Sequence, residues 1–182
     1  MRIKRISPDE MDAEQKDVYD ANVASKRGRM PAPVHAWIRS PKMAKRMEPL
    51  GEFLRYDSTL GARLSEIAIL VCARHWTAHF EWYAHKKLGL EAGVTPEVIA
   101  AIAMRKAPDF SGDDKGRIVH DVSKALMENH RVPQPLYDTA VAALGEQGLV
   151  ELIGLLGYYC LVSMTLNTFE FDLPEGEKPE LT

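Results

Sequence analysis

The fold is decided by the stretch RLSEIAILVCARHWTAHFEWYAHKKLGLEAG, residues 63–93. Its first part, to about Ala73, is apolar almost all round, which is typical of a helix at the centre of a protein. A break near His75 separates it from a second helix, which Thr77 can cap and Gly93 can end. The stretch therefore predicts a central pair of consecutive helices.

Helix start signals recur through the rest of the chain, and no segment alternates with the period of two that a strand requires. The predicted helices outside the central pair are residues 7–25, 40–56 with a kink or split at Pro49, 95–105, one from about residue 111, one ending at Gly145, and 149–169. The pattern predicts an all-α protein of about seven to eight helices in a single domain, residues 1–182. Its expected parts are an N-terminal helical extension (1–60), the core helix pair (61–107), C-terminal helices (108–170) and an extended tail (171–182).

Charge and composition favour a cytoplasmic protein without a nucleic-acid partner. The formal net charge is -3 and the basic residues form no long run, so we expect no nucleic-acid partner. The N-terminus lacks the apolar region of a signal peptide. The apolar segment 149–166 contains Glu151, and we expect it to be a buried helix and not a membrane span. Cys72 and Cys160 both lie in apolar segments, which indicates buried thiols in a reducing compartment.

Three ionisable residues of the central pair are predicted to point into the protein. On a helical wheel, Glu81 and His85 share a stripe with apolar residues, and Glu66 shares one with Ile69 on the preceding helix. Buried ionisable groups are costly unless they are paired, so such a cluster needs a reason. We predict that His85 and Glu81 form an acid–base pair and that Glu66 is a second proton carrier. The alternative is an ordinary Glu–His pair without a catalytic role.

Four further residues are candidates for substrate binding. Trp82 adjoins the stripe of Glu81 and His85, and Arg63 can bind a substrate carboxylate or form a salt bridge with Glu66. Tyr158 and Asn167 can reach the site from the last helix, or make core hydrogen bonds. The residues His75, His79, Glu81 and His85 leave a metal site open as an alternative, but we expect neither a metal nor a cofactor.

Motifs in the central pair and near the C-terminus resemble the carboxymuconolactone decarboxylase family, which includes the AhpD-like alkylhydroperoxidases. In the central region these motifs are Arg63-Leu-Ser-Glu66, Glu81-Trp-Tyr-Ala-His85 and Gly93-Val-Thr-Pro-Glu97. The resemblance extends over nearly the whole chain through Pro33, Ser40-Pro41, Leu54-Arg55, residues 149–159, Leu166-Asn167-Thr-Phe and Leu173-Pro174-Glu-Gly. It implies an AhpD-like helical bundle that assembles as a homo-oligomer, a dimer, trimer or hexamer, with sites near the subunit contacts.

The chain departs from the peroxidase branch of that family. There, a glutamate on the first central helix serves a Cys-x-x-Cys motif and a following histidine on the second. Glu66 and His85 match the glutamate and the histidine, but Ala78 and Glu81 stand at the two cysteine positions. Neither residue can form a thiolate or a disulfide, so we expect a divergent member that uses acid–base chemistry.

The resemblance to the decarboxylase branch implies loss of carbon dioxide from a muconolactone without a cofactor. His85 would be the acid or base, oriented by Glu81. We therefore expect a lyase that acts on a small carboxylated or lactone catabolite of aromatic degradation. The alternatives are a peroxidase-related protein that uses another thiol, Cys72 or Cys160, and an oligomeric binding protein without catalysis.

Overall fold

Eight α-helices and no strand form the protein in the computed structural model, which describes residues 1–182. In chain order they are α1 (Ala13–Ala24), α2 (Val34–Trp37), α3 (Pro41–Tyr56), α4 (Gly61–Trp76), α5 (His79–Glu91), α6 (Pro96–Ala103), α7 (Asp114–Asn129) and α8 (Gln134–Thr168). The prediction of an all-α protein with seven to eight helices is confirmed.

Helix α4 occupies the centre of the fold because it is apolar on every side. Of its 16 residues, 11 are buried, and it packs directly against α5, α7 and α8. Ile69 and Leu70 are fully inaccessible to solvent. Each such side chain contributes about 1.5–3 kcal/mol by leaving water. The surrounding helices therefore hold α4, and the polar groups that it carries inward, in a fixed position.

The turn between α4 and α5 differs from the prediction. Thr77 does not cap α5; it ends α4 in the left-handed conformation, with φ 48° and ψ 44°. The Ala78 N–H donates to the Ala73 carbonyl over 2.9 Å, which closes the last turn of α4. Ala78 is the N-cap residue of α5, which starts at His79 without a side-chain cap. This tight turn lays α5 against α4.

Two expected features of the N-terminal half also differ. No helix starts at Ser7. Its N–H and hydroxyl donate to Glu10, the chain then turns, and α1 starts only after Asp12. Asp12 and Gln15 form a reciprocal capping box, which satisfies two of the free N–H groups of α1. Helix α3 runs through Pro49 without division, since Pro49 lies on an exposed face where water can satisfy the freed carbonyl.

Helix α8 is broken at Gly145, as predicted. Part of its surface is exposed, whereas a buried helix was expected. Gly145 has φ 71° and ψ 167°, which no helical residue adopts, so residues before and after it form two helical segments. By length and composition α8 is apolar enough to cross a membrane, and 61% of its most apolar window is buried inside the fold. Core helices of soluble proteins pass the same test, so the expectation of no membrane stays a prediction.

The tail is extended, as predicted, but it also belongs to the core. Leu181 is buried in the same apolar cluster that contains α4 and α8. Glu180 accepts hydrogen bonds from Trp82 Nε1 (3.2 Å) and from Lys86 Nζ (2.7 Å) on α5. The end of the chain therefore covers the outer side of α5.

Candidate active site

A cavity of about 430 Å³ lies beside the central helix pair. Helix α5 contributes Glu81 and His85 to its wall, and α8 contributes Tyr158 and Tyr159. Arg55 of α3 and the segment between α1 and α2, including Arg27 and Arg29, complete the lining. Half of its 20 lining residues are hydrophobic. The size suits a small metabolite, because ligand cavities typically span about 300–1,000 Å³.

His85 is held by Glu66, which reaches it from α4. The Nδ1 atom of His85 lies 2.6 Å from Glu66 Oε2, and both residues are buried. Arg55 lies near the other carboxylate oxygen, with 3.6 Å between its guanidinium nitrogen and Oε1. Tyr159 packs edge-on against the imidazole, with 5.0 Å between the ring centres. The imidazole is therefore fixed in orientation at the wall of the cavity.

This pairing differs from the expected one, in which Glu81 orients His85. Glu81 and His85 do lie on one side of α5, but the hydrogen bond of His85 goes to Glu66, 19 residues earlier in the chain. The reason is the Thr77 turn, which places α5 against the Glu66 face of α4. Glu66 is thus the direct partner of the histidine, and Glu81 takes a separate environment.

Glu81 is a buried carboxyl with one hydrogen bond. Ser163 Oγ of α8 donates to Glu81 Oε2 over 2.7 Å, while Oε1 is buried without a partner. Only 1% of the residue is exposed. Burial raises the pKa of Glu81 well above that of an ordinary carboxyl, and the Ser163 hydrogen bond only partly opposes this. The surroundings of Glu81 therefore favour the neutral form of its carboxyl over the charged form.

Of the four predicted substrate-binding residues, only Tyr158 lines the cavity. Trp82 is buried on another side of α5 and donates to Glu180 of the tail. Arg63 forms a bidentate ion pair with Asp113 at the start of α7, not with Glu66. Asn167 donates to the Trp76 carbonyl over 2.9 Å and helps to hold the end of α4. These three side chains have structural partners elsewhere, which a helical wheel cannot reveal.

The sequence reasoning missed the cationic side chains of the cavity. Arg27 forms a buried ion pair with Glu48 over 2.7 Å and lies against Tyr158. Arg29 has no ion-pair or hydrogen-bond partner, and Arg55 is only loosely placed near Glu66. The Lys26-Arg27-Gly28-Arg29 segment signals a turn, and nothing in it shows that the turn folds over α5. Ser163 was missed because a single serine in an apolar run carries no signal.

The histidines that left a metal site open are not brought together. His75 lies at the end of α4 and packs against the Trp76 ring, while His79 starts α5 and His85 contacts Glu66. No three His, Cys, Asp or Glu side chains are placed to share a metal ion. The wall of the cavity itself carries carboxyls, an imidazole and cationic side chains.

No family model and no curated protein matches this chain.

Proposed function

We propose that the protein is a cofactor-independent lyase, a divergent member of the carboxymuconolactone decarboxylase family that decarboxylates a small carboxylated or lactone catabolite. The observation that carries the proposal is a histidine hydrogen-bonded to a carboxylate at the wall of the same cavity as a second, fully buried carboxyl whose pKa is raised by burial. His85 with Glu66, and Glu81 with Ser163, form these two arrangements. A base and an acid with different environments are what proton-transfer catalysis requires.

The geometry assigns a role to each group. A carboxylate only accepts hydrogen bonds, so Nδ1 of His85 carries the proton towards Glu66 and leaves Nε2 as the basic nitrogen. Decarboxylation breaks a carbon–carbon bond, releases carbon dioxide and leaves an electron pair on the substrate carbon as an enolate. Glu81, whose pKa is raised by burial, donates the proton that this carbon takes up. His85 Nε2 then takes up a proton from solvent or from the substrate and passes it to the Glu81 carboxylate, which restores the acid.

An anionic substrate fits the charges of the wall. Arg29 lines the cavity without an ion-pair partner, Arg55 lines it with only the 3.6 Å ion pair to Glu66, and Lys87 lies at its rim. Arginine binds carboxylates in a planar, two-pronged arrangement, and such cations stabilise a developing enolate. The facing apolar residues, among them Leu88 and Val162, accommodate a carbon ring.

The test is turnover of a panel of lactone and β-keto carboxylates, measured as released carbon dioxide, by the wild type and by His85→Gln. We expect His85→Gln to lower kcat by about 10²–10⁴-fold, the usual contribution of a general acid or base. His79→Gln is the matched control, because it makes the same change on the same helix outside the cavity. Equal turnover by wild type and His85→Gln would refute the proposed role.

If no member of the panel is turned over, binding separates the remaining possibilities. Saturable binding of these carboxylates without turnover, lost on Arg55→Gln, would favour the non-catalytic binding protein. Absence of both binding and turnover would remove the substrate class from the proposal.

We further propose that the protein works in the cytoplasm as a homo-oligomer with α8 at the contact. Val150 and Ile153 of α8 are 69% and 49% exposed, and Met164 continues the same face. Such an apolar face is costly in water and is typical of a protein contact. Light scattering is expected to show an oligomer for the wild type and a smaller species for Val150→Lys. A monomeric wild type would contradict this part of the proposal.

A further inference from the structure

The two cysteines of the chain meet in the core, where α4 packs against α8. Cys72 lies on α4 and Cys160 lies on α8, 88 residues apart in sequence, yet their sulfur atoms are 3.6 Å apart. Both are free thiols, and neither lines the cavity described above. Because α4 and α8 pack directly against each other, the two sulfurs are held close in the folded protein.

The two thiols have unequal access to solvent. Cys72 is fully buried, whereas Cys160 is partly exposed. Cys160 lies beneath two half-buried side chains, Trp76 and Met127, and its sulfur is 3.7 Å from Met127 Sδ. A small reagent can therefore reach Cys160 first, and Cys72 only through it.

The surroundings also favour a negative charge on one sulfur and oppose it on the other. The hydrogen bond from Cys72 lowers the pKa of Cys160 to about 6, and the Trp76 indole assists. The same contact, together with burial and the nearby Glu81, raises the pKa of Cys72 above its ordinary value. The Trp76 Nε1–H is buried beside Cys160 and has no hydrogen-bond partner, so a thiolate there would supply one. Cys160 is thus the nucleophile of the pair.

We propose that Cys160 and Cys72 form a site of reversible oxidation, at which a hydroperoxide modifies Cys160 and Cys72 then closes a disulfide. The inference stands on the placement and access of the two sulfurs and is independent of the proposed lyase.

The chemistry balances in two steps. The Cys160 thiolate attacks one peroxide oxygen; a sulfur–oxygen bond forms, the oxygen–oxygen bond breaks, and the other oxygen leaves as an alcohol or water after taking a proton. The Cys72 thiol then attacks the Cys160 sulfenic acid; a sulfur–sulfur bond forms and water leaves. Two thiols lose two electrons and two protons in total, and a dithiol reductant restores them.

The geometry allows the second step. A disulfide has a sulfur–sulfur distance of about 2.05 Å, so the two atoms must approach by about 1.5 Å. Side-chain rotation of Cys160 at its partly exposed position accommodates that movement more easily than a shift of the packed helix α4.

The experiment exposes the full chain to a few equivalents of hydrogen peroxide and measures free thiols and intact mass. The wild type is expected to lose both thiols and the mass of two hydrogen atoms, without forming covalent dimers, and dithiothreitol is expected to reverse the change. Cys72→Ser is expected to stop at a sulfenic acid on Cys160, trapped by dimedone. In Cys160→Ser, the buried Cys72 is expected to stay reduced. Should Cys72→Ser fail to fold, Cys72→Ala serves in its place.

A third variant tests the indole. Trp76→Phe keeps the ring but removes the N–H, and we expect it to slow the oxidation of Cys160 by about tenfold or more, since a hydrogen bond to a charged group is lost. Two free thiols in the peroxide-treated wild type would overturn the proposal. Oxidation of Cys72 in Cys160→Ser at the rate of the wild type would also overturn the proposal, because Cys160 would then not be needed as the first thiol to react.

Discussion

Glu66 and Glu81 are buried carboxyls in the same helix pair, yet their surroundings differ in kind. Glu66 faces a histidine at 2.6 Å and an arginine at 3.6 Å. Glu81 faces a serine hydroxyl and apolar side chains, and one of its oxygens has no partner. Both are at most 5% exposed, so burial alone does not distinguish them. The available donors determine whether a buried carboxyl carries a charge or a proton.

The comparison also explains how one small cavity can hold both a base and an acid. The Glu66 side supplies an oriented imidazole, and the Glu81 side supplies a carboxyl whose pKa is raised by burial. Each environment depends on a different neighbouring helix, since Glu66 projects from α4 and the partner of Glu81 comes from α8. Substitutions can therefore change the two sides separately.

The largest effect is expected on the Glu66 side. Glu66→Gln keeps an oxygen near His85 but removes the carboxylate that fixes its tautomer. We expect kcat to fall by about 10²-fold or more, equivalent to about 3 kcal/mol of transition-state stabilisation. Steady-state kinetics with the substrate found in the panel measures this, and Glu66→Asp is expected to recover part of the loss. An unchanged kcat in Glu66→Gln would show that the pair is only structural.

On the Glu81 side, Ser163→Ala removes the one hydrogen bond of that carboxyl. A buried polar group left without a partner costs about 1–3 kcal/mol of the free energy of unfolding. Ser65→Ala is the matched control. The Ser65 hydroxyl, on α4, is buried like that of Ser163 on α8, but it has no hydrogen-bond partner to lose. Urea denaturation of both variants gives the difference, and equal stabilities would contradict the importance of the Ser163 contact.

The pH dependence of stability gives a smaller effect with a definite sign. Burial raises the pKa of Glu81 in the folded protein. The folded protein therefore still holds a proton on this carboxyl at pH values at which the unfolded chain has already released it. This group therefore lowers stability as pH rises from the unfolded pKa towards the folded one, by at most about 1.4 kcal/mol per pH unit. Glu81→Gln should flatten that slope. Free energies of unfolding measured from pH 5 to pH 8 test it, and equal slopes in the two proteins would mean that Glu81 ionises normally.

The smallest effect is expected at Glu91, a third carboxylate of the helix pair, which lies on α5 and is exposed at the cavity rim. It has neither the partners of Glu66 nor the burial of Glu81. Glu91→Gln should change the free energy of unfolding by less than about 0.5 kcal/mol and leave the pH slope intact. A larger change would show that the partners of Glu66 and the burial of Glu81 do not explain the energetics of the carboxyls in this helix pair.

Much of the fold could be predicted from local patterns. The apolar run of α4 predicted a central helix, and Thr95, Ser40 and Gly145 marked helix ends where the structure has them. These signals succeed because they act within one or two turns. The start at Ser7 was wrong, because α1 begins after Asp12, five residues later, where Asp12 and Gln15 form a reciprocal capping box.

The sequence by itself determined that three ionisable side chains of the central pair point inward, since direction on a helix follows from spacing alone. Only the tertiary structure decided which of them meet. Glu66 reaches His85 across 19 residues because of the left-handed Thr77 turn. Ser163 and Cys160 reach Glu81 and Cys72 across 82 and 88 residues because α8 packs on α4. Such contacts depend on how helices are arranged in space, which no pattern within one helix records.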